Sequence, residues 1–202
     1  MAIELQNSMF IHIPKCGGRK VTTLLTTYVK GARIVGDRVL DAHKSPDTDK
    51  KVFAFVRHPA TFIRSLWTHR SRIKNGKPKF NWQQYLRMEK ECASRDYNEF
   101  VENVLNGTDY VYDYYMHYTG KYSDIQYGKM ENLVEDLIFI LKENGESFDE
   151  NAMRRDAGVV GANRLTGKPS KLKDTMNEEQ LSKLVNEVEK KLCERFGYNE
   201  VW

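Results

Sequence analysis

Two short stretches set cations beside residues that let a backbone turn tightly: Lys15-Cys16-Gly17-Gly18-Arg19-Lys20 and Arg57-His58-Pro59. Each follows an apolar run and precedes a segment with helical spacing. Glycines let backbone N–H groups approach an anion, and the positive end of a following helix adds to the attraction. In an open α/β sheet such turns lie at the carboxyl ends of strands, where ligands bind. The residue types therefore point to an anionic, phosphate-bearing ligand. Three phosphate chemistries compete for the pattern. A Walker-type loop needs Gly-x-x-x-x-Gly-Lys-Ser/Thr, but Gly18 is followed by Arg19, and Ile13 stands where the first glycine belongs. A cysteine phosphatase loop needs an arginine where Thr22 stands relative to Cys16. Both fail, and Cys16 is not expected to be a nucleophile.

The elements that must hold these turns follow from hydrophobic periodicity. Residues 9–13 form a short apolar run ending at Pro14, expected to be a buried first strand. Val21, Leu24, Leu25 and Tyr28 then line one face of a helix over 21–29. Residues 52–56 are continuously apolar, as in the middle of a parallel sheet. A helix follows them, with Pro59 in its first turn and Phe62, Ile63, Leu66 and Trp67 as its apolar face. Residues 81–106 read as two helices broken near Ser94-Arg95-Asp96, and 109–118 carry five tyrosines, Tyr110, Tyr112, Tyr114, Tyr115 and Tyr118. A strand is expected over 125–130 and a helix over Leu133–Glu143, stopped by Asn144-Gly145. Gly158, Gly161, Gly167 and Pro169 mark a loop. One amphipathic helix should run over 177–196, opened by Asn177 with early glutamates and closed by Gly197. The expected fold is α/β: a single domain over residues 1–202, with a short central parallel sheet flanked by helices on both faces.

Composition bounds the class. The chain has 202 residues and 23.6 kDa, with 32 basic against 28 acidic side chains, a net charge of +4. At 40% hydrophobic it can build a core without disulfide or metal staples, which excludes a disordered or collagen-like chain. So modest a charge does not indicate a nucleic-acid partner. Cys16, Cys92 and Cys193 are widely spaced with no Cys-x-x-Cys pair, against a disulfide framework or structural zinc and in keeping with a reducing cytosol. The first residues lack a secretory pattern, and no run approaches the ~18 apolar residues of a membrane span. A cytoplasmic protein with no membrane partner is the expectation.

The third phosphate chemistry fits. Ile11-His12-Ile13-Pro14-Lys15-Cys16-Gly17-Gly18 resembles the 5′-phosphosulfate loop of sulfotransferases that use 3′-phosphoadenosine 5′-phosphosulfate (PAPS). Phe55-Val56-Arg57-His58-Pro59 through Ser65-Leu66-Trp67 resembles that family's 3′-phosphate site, where a strand-end arginine and a serine on the next helix share one phosphate. Arg57 and Ser65 keep the family's spacing. The resemblance continues through Lys129-Met130-Glu131-Asn132-Leu133-Val134-Glu135-Asp136, Asn163-Arg164, Gly167-Lys168-Pro169 and Arg195-Phe196-Gly197-Tyr198, so it covers nearly the whole chain in order. The likeness is closest to the carbohydrate-type branch, which includes heparan sulfate sulfotransferases of the Golgi. It implies a three-layer, P-loop NTPase-like sulfotransferase fold and PAPS as co-substrate, with adenosine 3′,5′-bisphosphate as product. The implied acceptor is a hydroxyl, with a saccharide among the candidates, and no metal is required.

The resemblance also implies roles. Lys15 would stand at the bridging oxygen, where charge builds during transfer. Gly17, Gly18 and Lys20, with Thr22, would hold the 5′-phosphate; Arg57 and Ser65 would hold the 3′-phosphate. Lys168 would fold over the nucleotide as a lid. A neutral alcohol needs a base, histidine suits neutral pH, and His43 lies in the segment where some carbohydrate sulfotransferases carry a catalytic histidine. His12 is expected in the core and His58 in support of its turn. The departures are specific. Arg19 and Lys20 replace small hydroxyl residues common in relatives and are expected to add cations that bind the nucleotide beside its sulfate and phosphate. Phe62 stands where relatives often carry arginine, with Arg64 two residues later, and the membrane anchor of Golgi relatives is not seen in this sequence. Two alternatives stay open: a nucleotide kinase-like phosphotransferase, and a non-catalytic nucleotide- or polyanion-binding module on the same fold.

Overall fold

A computed structural model describes residues 2–35, 46–71, 73–74, 77–78, 80–158 and 176–198. In chain order the strands are β1 (Ala2–Glu4), β2 (Ser8–Ile11), β3 (Arg33–Val35), β4 (Lys51–Val56), β5 (Ile73–Lys74), β6 (Lys77–Pro78) and β7 (Ile125–Lys129). The helices are α1 (Gly18–Tyr28), α2 (Pro59–Arg70), α3 (Arg87–Glu91), α4 (Tyr97–Leu105), α5 (Tyr110–Thr119), α6 (Leu133–Glu143), α7 (Glu150–Asp156), α8 (Glu178–Lys183) and α9 (Lys190–Phe196). The fold is α/β. Its internal contacts gather into two units: Met1–Arg57 with Tyr118–Pro169, and His58–His117 with Ser170–Trp202.

The first unit holds an open five-stranded sheet in the order β3-β1-β2-β4-β7. β2, β4 and β7 run parallel, with Ile11 opposite Ala54 and Val56 opposite Lys129. β4 is apolar and buried from Val52 to Val56, as its uninterrupted sequence predicts for a strand with neighbours on both sides. Phe10 packs on Phe53 and Phe55 with ring centroids 5.5 and 6.4 Å apart. The sheet is mixed rather than parallel throughout: β1 pairs antiparallel with both β2 and β3. The reason is connection length. Only Leu5, Gln6 and Asn7 separate β1 from β2, and a parallel neighbour needs a crossover of a dozen or more residues. Both added strands have three residues, too few for a periodic signal. α6 packs against β7 through Leu133, Leu137, Ile138, Ile140 and Leu141, all buried. α7 packs on α1, where the Tyr28 hydroxyl donates to Asp156 Oδ2 at 2.7 Å.

Among the described residues the second unit holds helices and the β5-β6 hairpin. The break expected near residues 94–96 separates α3 from α4, and Asp96 caps α4 by accepting from the Asn98 and Glu99 N–H groups. The tyrosine-rich segment is α5. The expected final helix starts in the predicted way, with a reciprocal capping box between Asn177 and Gln180, and ends at Gly197 in the left-handed conformation. It is not continuous. A five-residue π turn, Leu184–Val188, divides it into α8 and α9. That turn brings Glu189 inward, where its fully buried carboxyl group accepts from the Val111 and Tyr112 N–H groups at 2.7 and 3.1 Å. Glu189 thereby satisfies donors at the start of α5 that no intrahelical bond can reach.

Candidate functional site

The loop from His12 to Gly17 joins the carboxyl end of β2 to α1, and its backbone explains its residue types. Gly17 caps α1 at φ 78° and ψ 4°, a left-handed conformation in which a Cβ would also fall 2.6 Å from Leu133 Cδ1. Gly18, the first residue of α1, lies directly beneath the His12 ring. Lys20 and Val21 turn their N–H groups back to the Gly17 carbonyl at 2.9 and 3.2 Å, closing the first turn. No side chain caps this helix, and its first turn has no acidic residue. Lys15 is held at φ 70°, a left-handed conformation unusual for a residue with a Cβ.

Parallel pairing brings the end of β4 beside this loop. There Arg57 reaches back, and its Nη1 donates to the Lys15 carbonyl at 3.3 Å. The two cations singled out by motif, one on each turn, are thus joined in space. The end of β7 completes the same edge. Its connection to α6 passes through a single 3₁₀ turn, Met130–Asn132, and is fastened by Asp136, which accepts from the Lys129 N–H at 2.6 Å and from Asn132 Nδ2 at 2.7 Å. Met130 and Leu133 of this turn approach Gly17. The glycine-capped start of α1, the Lys15 backbone and the Arg57 guanidinium thus lie together at the carboxyl ends of parallel strands. Anions are stabilised at such a helix end, and guanidinium groups bind phosphate-like oxygens through charge-assisted hydrogen bonds.

The remaining expected phosphate ligands differ in exposure. Arg19 is exposed. Lys20 is half-buried, and burial lowers its ammonium pKa from the ordinary lysine value. The Thr22 hydroxyl has no accessible surface and no hydrogen-bond partner among the described residues, so it faces inward from α1. Cys16, Cys92 and Cys193 are buried and form no disulfide. Burial pushes the latter two thiols up, to about 11 and about 12.

Ser65 is half-buried on α2 in the second unit. In that unit Phe62 is fully buried against Tyr114 and Tyr115, with centroids 5.0 and 5.2 Å away and edge-to-face geometry. The apolar residue that departs from the family pattern is therefore a core residue. The Arg64 guanidinium lies 4.4 Å from the Tyr97 ring centroid. His58 supports its turn as expected, accepting from the Ala60 N–H through Nδ1 as the cap of α2. Tyr110, Tyr112, Tyr114, Tyr115 and Tyr118 are all buried, which makes them packing residues. The expected base His43 and lid lysine Lys168 lie outside the described residues, as do Asn163-Arg164 and Gly167-Lys168-Pro169.

Sequence reasoning named two residues without their contacts: His12, expected in the core, is half-buried with its ring over Gly18, and Asp136 ties β7 to α6. The paired glycines were the available signal for the first, since something must lie close to a residue that cannot carry a side chain. A cleft of about 490 Å³ is lined by Glu4, Gln6, Lys30, Arg33 and Lys50, where Glu4 pairs with Arg33 and Lys50 at 2.6 and 2.9 Å. Among the described residues no cluster of three or more His, Cys, Asp or Glu side chains is placed to hold a metal, and no helix is long and apolar enough to cross a membrane. Comparison with family models, curated proteins and solved structures finds no match to this chain.

Proposed function

We propose that this chain is a PAPS-dependent sulfotransferase with a three-layer, P-loop-like sulfotransferase fold, acting on a hydroxyl acceptor. The observation that carries the reading is the Arg57–Lys15 hydrogen bond at 3.3 Å, which puts the strand-end arginine of one nucleotide motif on the loop of the other. The glycine-capped, acid-free start of α1 supports an anion at that loop. When bound, PAPS supplies a sulfuryl group that passes to the acceptor oxygen as the acceptor's proton is lost and adenosine 3′,5′-bisphosphate is left. Lys15 neutralises charge on the departing phosphate side, while Gly17, Gly18 and Lys20 hold the 5′-phosphate through backbone donors and charge. Arg57 and Ser65 hold the 3′-phosphate. His43 removes the acceptor's proton, and Lys168 closes over the nucleotide. The carbohydrate-type resemblance makes a saccharide hydroxyl the first acceptor to test. Three buried cysteines outside any disulfide support a reducing, cytoplasmic setting.

Calorimetry with adenosine 3′,5′-bisphosphate, ATP and 5′-AMP, with and without magnesium, tests the reading. The bisphosphate should bind without metal and more tightly than either competitor. Equal affinity for 5′-AMP, or a requirement for magnesium, would sink it.

A further inference from the structure

Arg57 and Lys15 meet through the backbone. The guanidinium bonds to a carbonyl whose own residue is in the left-handed region, at φ 70°. Among the described residues the other non-glycine with positive φ is Asp109, a residue type that tolerates this region because its short side chain can bond locally. Lysine has no such compensation, so the surrounding structure must hold it there. Within the loop, the described backbone hydrogen bond runs from the Cys16 N–H to the Ile13 carbonyl at a long 3.4 Å. A hydrogen bond from the Arg57 guanidinium, at 3.3 Å, reaches the Lys15 carbonyl from a different strand.

We propose that Arg57 is a positioning residue for Lys15: by clamping the Lys15 carbonyl it keeps the loop in its left-handed turn and couples anion capture at the end of β4 to the placement of the Lys15 ammonium. A guanidinium carries five N–H donors in a fixed fork, so one can stay on the carbonyl while others meet an anion. An anion held at Arg57 then reduces the guanidinium's motion and tightens its hold on the loop. A ligand with a 3′-phosphate places Lys15 for transfer, and a ligand without one leaves the loop looser. The identity of that ligand rests on the sulfotransferase reading, whereas the clamp rests on the hydrogen bond.

Cys16 adjoins Lys15 and is 1% exposed, so its alkylation reports opening of this loop. Cys92 and Cys193, also buried, report general unfolding in the same molecules. The experiment measures iodoacetamide labelling of each cysteine in the intact protein by peptide mass spectrometry. Arg57→Gln should raise the Cys16 rate about tenfold, the loss expected for one charge-assisted hydrogen bond, with the other two rates unchanged. In Lys15→Gly/Arg57→Gln the Cys16 rate should return to within about twofold of wild type, because glycine adopts the left-handed conformation unaided. In wild type, adenosine 3′,5′-bisphosphate should protect Cys16 more than 5′-AMP does. An unchanged Cys16 rate in Arg57→Gln, a parallel rise at all three cysteines, or no rescue by glycine overturns the clamp. Equal protection by the two nucleotides, with the variant rates as expected, overturns the nucleotide reading and the coupling that rests on it, and leaves the Arg57 clamp on Lys15 standing.

Discussion

His12 lies so close over Gly18 that a Cβ on residue 18 would fall 1.8 Å from His12 Cδ2. The first residue of α1 must therefore lack a side chain for the loop to sit against its own strand end. Gly18→Ala should displace the ring or the helix start, lowering stability by about 1–3 kcal/mol, as overpacking does. Affinity for adenosine 3′,5′-bisphosphate should fall with it. Gly31→Ala is the control. Its site has φ 77° and open space around it, so it should cost about 1 kcal/mol and leave affinity unchanged. Thermal melts with calorimetry check both.

The two phosphate ends should separate by mutation. Ser65→Ala is expected to weaken bisphosphate binding about tenfold and leave 5′-AMP binding alone, since it removes one hydrogen bond to the 3′-phosphate. Lys15→Ala should instead slow sulfuryl transfer by about 10²–10³, by analogy with a lost oxyanion donor. Titration calorimetry and a labelled-sulfate transfer assay read the two effects. Weakened 5′-AMP binding in Ser65→Ala would count against its assignment.

Phe62 tests the meaning of a departure from the family pattern. Restoring the family's arginine with Phe62→Arg would place a guanidinium where a fully buried ring packs on Tyr114 and Tyr115. The loss of ring packing alone is worth about 3–5 kcal/mol, and an unpaired buried charge adds to it. Urea denaturation should show a loss at least that large, and Phe62→Leu should be much milder.

Glu189 should make stability depend on pH. Burial pushes its carboxyl up to about 8 from an ordinary 4.5, although bonds from the Val111 and Tyr112 N–H groups pull the other way. Between those two values the folded state holds a proton that the unfolded state has released. Stability from this group is therefore greatest below about 4.5 and falls as pH rises towards about 8. Urea midpoints taken from pH 5 to pH 8 should show that decline, and Glu189→Gln should flatten it. An equal slope in the variant would assign the decline to other groups.

Several elements were legible because their signals are local. The apolar run of β4, the α2 start at Pro59, the helix over Leu133–Glu143 and the Asn177 cap stand where residue type and periodicity put them. β1 and β3 were not, since three residues carry no period. The π turn was hidden because Leu184, Val185 and Val188 keep a helical apolar spacing through the bulge. It is explained only by the donors at Val111 and Tyr112 that Glu189 turns inward to meet.

The site divides in the same way. Sequence by itself determined the two cation-bearing turns, Lys15 to Lys20 and Arg57 to Pro59, and the parallel strands before them, because glycine, proline and apolar runs act through local sterics and burial. Tertiary structure decided what those residues touch. Arg57 meets a carbonyl 42 positions earlier, His12 fixes residue 18 as glycine, and Phe62 enters a tyrosine-lined core. Contacts of that kind depend on which strand ends pairing brings together and which side chains fill the space left, and no local pattern encodes either.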